Sequence, residues 1–151
     1  MSILESTALN MGATIFSAKR GVGSFLTFDF KHDIKTQDKE DYHLWIYLTD
    51  WVITKEKEVL LNSDVELDET YESVLRNFLG KRLCGFTTQK ESACFQFEEG
   101  YEIKLSADVD FYESSDELFM LFDRDKNLVT SFSVENGLEI EAIVEKGSES
   151  V

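Results

Sequence analysis

Proline is absent from the 151 residues, and cysteine and histidine occur twice each. Without proline there is no Pro-rich linker to mark a domain boundary. Two thiols are too few for a disulfide scaffold or a four-thiolate metal site. No apolar run approaches the roughly 20 residues of a membrane helix, because Asp29, Asp50 and Asp123 interrupt the best candidates. Met1 to Met11 lacks the basic start and continuous apolar stretch of a secretory signal, so export by that route is not expected and a cytoplasmic location is.

Positive charge is also scarce, with 15 Lys and Arg against 30 Asp and Glu, a formal charge of -15. Nucleic acid is bound by displacing counterions with a basic surface, so this balance disfavours it as a ligand. Anionic membranes are disfavoured on the same ground. A basic protein partner is favoured, since fields of opposite sign accelerate encounter. Acidity also keeps a protein soluble, whatever it binds. Hydrophobic residues make up 42%, enough for one core, and the chain reads as a single domain over 1–151 with a polar tail at about 146–151.

Apolar residues recur at a period near two from Ser24 to Phe30, after the turn signal Gly21-Val22-Gly23. Lys31 to Asp41 reads as a charged, solvated loop. Tyr42 to Ile53 reads as one strand, with Leu44, Ile46 and Leu48 on one face and Trp45, Tyr47, Thr49 and Trp51 on the other. Apolar on both faces, it is either covered on both sides or leaves one aromatic face free for a partner; coverage is the expectation, with Trp45, Tyr47 and Trp51 in the core.

One helix is expected at about 68–79, where Leu67, Tyr71, Val74, Leu75, Phe78 and Leu79 form a stripe. Asp68 is its candidate N-cap and Gly80 its stop. Strand patterns follow at Arg82 to Phe86, Ala93 to Phe97, Tyr101 to Leu105, Glu117 to Phe122, Asn127 to Phe132 and Leu138 to Val144. Short turns between them make neighbours antiparallel.

The halves also resemble each other. Met11 to Ile15 aligns with Leu79 to Leu83, Ser24 to Phe28 with Ala93 to Phe97, and Tyr42 to Leu48 loosely with Gly100 to Leu105. The expected fold is α+β and mostly antiparallel β, a curved sheet, half-barrel or sandwich built from two similar meanders around one helix.

Catalytic motifs are missing. His32 and His43 have no partner at metal-ligand spacing, and His43 reads as a structural residue. A hairpin centred on Gln89 would set Cys84 opposite Cys94, within cross-linking reach if oxidised. Asp123 to Asn127 imitates a calcium loop, but Leu128 stands where glycine is needed and Val134 where the bidentate Glu is needed. Gly21 to Ser24 lacks the lysine of a phosphate loop. No catalytic residue, metal or cofactor is assigned.

Acidic clusters remain. Asp64, Glu66, Asp68, Glu69 and Glu72 crowd the expected helix start, where the helix dipole accounts for much of them. Asp108, Asp110, Glu113, Asp116 and Glu117 form a stretch with no Lys or Arg. With Phe111 and Tyr112 as apolar anchors, this second group is the candidate partner-binding surface. Alternatives are a small-ligand or enzymatic cavity lined by His43, Trp45, Tyr47 and Trp51, and an acidic mimic of nucleic acid.

The series Ser24 to Phe30, His43 to Tyr47, Asp50 to Ile53, Leu79 to Leu83, Phe95 to Gly100 and Leu118 to Phe122 resembles small acidic bacterial proteins of the immunity type, including those paired with contact-dependent inhibition toxins. The resemblance covers most of the chain and implies fold more firmly than role. It implies a non-enzymatic protein that binds a cognate toxin domain, often a basic nuclease, and blocks its active site or substrate path. No binding residue transfers with it.

Overall fold

Tyr42, Leu44 and Ile46 are buried, and so are Trp51 and Ile53. Even and odd positions cannot face one core along an unbroken strand, because side chains alternate with a period of two. The chain therefore ends one strand at Ile46 and begins another at Asp50, in a different sheet. The single strand expected from Tyr42 to Ile53 is two.

The computed structural model describes residues 13–20, 25–31, 42–47, 50–63, 69–107, 116–124 and 127–142. In chain order the elements are β1 (Thr14–Arg20), β2 (Leu26–Lys31), β3 (Tyr42–Ile46), β4 (Asp50–Lys55), β5 (Glu58–Asn62), α1 (Glu69–Arg76), β6 (Leu83–Thr88), β7 (Ser92–Phe97), β8 (Tyr101–Ser106), β9 (Glu117–Asp123), β10 (Leu128–Ser133) and β11 (Gly137–Ala142). A six-stranded sheet has the order β1-β2-β3-β9-β10-β11, and a five-stranded sheet the order β5-β4-β8-β7-β6. All named pairings are antiparallel. The fold class expected from sequence is the one observed; β1 beyond Ile15 and β5 are additional strands, and the apolar residues of β5, Val59, Leu60 and Leu61, are consecutive and lack the alternation that announces a half-buried strand.

The duplication has a structural counterpart. Meander β1-β2-β3 leads into β4 and β5, which join the other sheet; meander β6-β7-β8 leads into β9, β10 and β11, which join the first. Register breaks fall at matching places, Ile15/Ser17 in β1 and Leu83/Gly85 in β6. Thr14 and Arg82, equivalent in the alignment, bridge to each other. Each half thus completes the other half's sheet, which covers an apolar face neither meander could bury alone.

Between the sheets lies an aromatic core. The Phe119 ring is 4.9 Å from Phe95, 5.2 Å from Phe86 and 6.0 Å from Phe132. Phe78, just past α1, lies 5.4 Å from Phe28, 5.1 Å from Phe97 and 5.2 Å from Tyr101. Val74 and Leu75 join Phe78 in the core, whereas Leu79 is 44% exposed. Regular helix spans Glu69–Arg76. Beyond it the turn tightens through bonds from the Asn77, Phe78 and Leu79 amides to the Val74, Leu75 and Arg76 carbonyls, and Gly80 at φ +85° ends it. Leu67 and Asp68 lie outside the described residues.

Cys84 and Cys94 do not face each other. The hairpin turns at Lys90–Glu91, closed by Gln89 N–H to Ser92 C=O, not at Gln89, so Thr87 opposes Cys94, while Cys84 falls in the β6 register break. Both thiols are free.

Candidate functional site on the outer face of the six-stranded sheet

Directly opposed residues of an antiparallel ladder share a face, so the registers write out the surface. One row across the six strands is Lys19, Thr27, Trp45, Met120, Ser131 and Glu139. The next is Ser17, Asp29, His43, Phe122, Val129 and Glu141. The inward rows contain Phe28, Leu44 and Leu121, all buried, so these two rows face away from the core. Outer rows on the five-stranded sheet read Val52, Lys104, Cys94 and Thr87, then Thr54, Glu102, Gln96 and Gly85. That face is largely polar, and the outer face of the six-stranded sheet is aromatic at its centre.

Phe25 lies 4.7 Å from Tyr47 and 6.5 Å from Trp45, and Trp45 lies 4.6 Å from Tyr47, ring centre to ring centre. All three remain partly exposed. The structure thus moves Trp45 and Tyr47 out of the expected core, and only Trp51, with no exposure, belongs there. The His43 Nδ1–H donates to Asp29 Oδ1 at 2.5 Å, and its ring is 5.9 Å from Phe122. Arg124 already stacks on Phe122, 5.1 Å from the ring centre, a cation–π contact of the kind these rings can offer other cations.

Among the residues expected to bind a partner, Asp108, Asp110, Phe111, Tyr112 and Glu113 lie outside the described residues. Asp116 and Glu117 are described; Glu117 opens β9 opposite Ser133. The Tyr47 N–H donates to the Leu118 carbonyl at 2.9 Å, so the acidic stretch enters the sheet beside the aromatic trio. His43, Trp45, Tyr47 and Trp51 do not line one cavity, because Trp51 faces the core from the other sheet. Phe25, Met120, Phe122, Glu139 and Glu141 escape a reading by charge runs. For Met120 and Phe122 the signal is parity: Leu118 to Phe122 is apolar on both faces, as Tyr42 to Tyr47 largely is.

Elsewhere, a cleft of about 380 Å³ lies between β1 and α1, lined by Lys19, Arg20, Arg76 and Glu72 over Ala18, Leu75 and Leu79. A second, about 420 Å³, borders Cys94 and Lys104. Burial, together with the Glu102 carboxylate, pushes the Cys94 thiol up to about 11. Burial also raises Cys84. Neither is an activated nucleophile. Arg82 donates from its side chain and its backbone to Glu98, at 3.0 and 2.7 Å, and holds that carboxyl below the usual range. Among the described residues no cluster of His, Cys, Asp and Glu could hold a metal, and no helix is long and apolar enough to cross a membrane.

No family model, curated protein or solved structure matches the chain.

Proposed function

We propose that this is a binding protein of the immunity type, which neutralises a cognate cationic toxin domain, a basic nuclease being the favoured class, by covering its active site or substrate path. The observation that carries the reading is the Phe25, Trp45 and Tyr47 cluster on an outer sheet face, bordered by Asp116 and Glu117. Nuclease domains hold phosphates with Lys and Arg. Such side chains stack on aromatic faces and pair with carboxylates, so a surface that offers both is complementary to them. Long-range attraction from a chain of charge -15 speeds encounter, and the partly exposed rings supply the desolvated anchors that dominate binding energy.

The test takes the C-terminal domain of the polypeptide encoded immediately upstream, which this reading expects to be a basic toxin domain. Co-expression is expected to restore growth to cells poisoned by that domain. Replacing Trp45 and Tyr47 together by Ala is expected to weaken the complex at least about 30-fold, the range of an interface hot spot. A cationic domain bound equally tightly by the double variant would refute this placement. Failure of rescue together with failure to bind would refute the function.

A further inference from the structure

Among the described residues four strand edges bound the two sheets, and three are obstructed. β1 is bulged at Ile15/Ser17, and around Ile15 it is occupied by bonds to the Lys81 carbonyl and from the Gly80 amide, 2.9 and 2.7 Å. β5 is short and pairs with β4 through a register break at Ile53/Thr54. β6 carries the break at Leu83/Gly85. β11 has none of these defences: it pairs with β10 through six consecutive residues without a shift, Leu128↔Ala142 to Ser133↔Gly137. It is terminal in its sheet, and it has no counterpart in the five-stranded one. Residues 139–142 are exposed. Every second residue of a regular edge strand points its N–H and C=O away from the sheet, which makes such an edge a template for another strand.

Its side chains define what that strand must carry. Glu139 and Glu141 lie on the aromatic outer face, opposite the neutral Ser131 and Val129, and no described cation pairs with either. Leu138 and Ile140 lie on the inner side, where Ile140 is still 37% exposed. A second copy of this edge would set glutamate near glutamate, and like charges on neighbouring strands are destabilising. A strand with Lys or Arg at alternate positions and apolar residues between them satisfies both rows.

We infer that the edge of β11, unpaired among the described residues, accepts an extended cationic segment of a partner polypeptide as a seventh strand of the six-stranded sheet. Alternate Lys or Arg of that segment meet Glu139 and Glu141, and the intervening apolar side chains cover Leu138 and Ile140. This inference rests on the proposed function for the identity of the partner as a basic protein, and it names the second point of contact on the same face. Strand addition supplies affinity through main-chain bonds and specificity through alternate side chains.

The probe is a capped peptide, Lys-Val-Lys-Val-Lys, titrated into the full chain and followed by amide hydrogen exchange. Protection is expected at amides within 138–142. The same peptide N-methylated at every residue keeps all its charges and loses every backbone donor, and is expected to bind at least about tenfold more weakly. The double variant Glu139→Gln, Glu141→Gln is also expected to weaken the unmodified peptide at least tenfold at low salt. Equal binding of the methylated peptide, protection confined to other strands, or no binding at all overturns the inference. The outcomes separate from those above: a cationic domain that binds through Trp45 and Tyr47 while β11 amides exchange freely leaves the function standing and removes the edge.

Discussion

At Cys94 the thiol is held protonated first by partial burial and then by the carboxylate of Glu102, 3.8 Å from its sulfur. Its alkylation by iodoacetamide should therefore climb about tenfold per pH unit from pH 7 to 10 and level off only near about 11. A plateau near pH 9, measured by mass spectrometry of the Cys94 peptide, would show an unperturbed thiol. The same shift has a consequence for stability. A folded-state pKa above the unfolded one means that the native chain keeps a proton the unfolded chain releases, so this contribution is present below about pH 9 and lost as pH rises toward about 11. Glu98 has the opposite sign. Its lowered carboxyl contributes above the usual carboxylate range, and that contribution fades as acid protonates it.

β3 and β4 explain why the sequence was legible in part. Strand existence and antiparallel order follow from alternation and short turns, and the strands after Gly80 were readable to within a residue or two at most ends. The change of sheet between Ile46 and Asp50 was not, because both faces of Tyr42 to Ile53 are apolar and no glycine or proline marks the break. Only the parity switch from Ile46 to Trp51 records it. The aromatic face was hidden by the same ambiguity, since an apolar residue on a strand is more often inside than outside. Two tryptophans on these neighbouring strands make the distinction measurable. Trp51→Ala empties a fully buried site and should cost about 3–5 kcal/mol in denaturant unfolding. Trp45→Ala, on the outer face, should cost less than about 2 kcal/mol. Equal losses would place both rings in the core.

For the molecule as a whole, the reciprocal exchange of strands between halves builds one core with two unlike outer faces. β6, β7 and β8 turn Cys94, Lys104, Glu102 and Gln96 outward, while the equivalent first meander and its neighbour β9 turn out Trp45, His43, Met120 and Phe122. Folding alone asks for one covered face per sheet, so rings on an outer face do not serve the core. Net charge of -15 adds a field that draws cations to such a surface without setting where they dock. Charge runs in the sequence pointed to the acidic stretch ending at Glu117, whereas the ladder points to the sheet face that this stretch adjoins. The most direct measurement uses the Trp51→Phe variant, in which Trp45 is the sole indole, and follows acrylamide quenching as the upstream-encoded basic domain is added. Quenching of Trp45 should fall at least several-fold at saturation; a complex that leaves it unchanged would mean that the partner docks elsewhere.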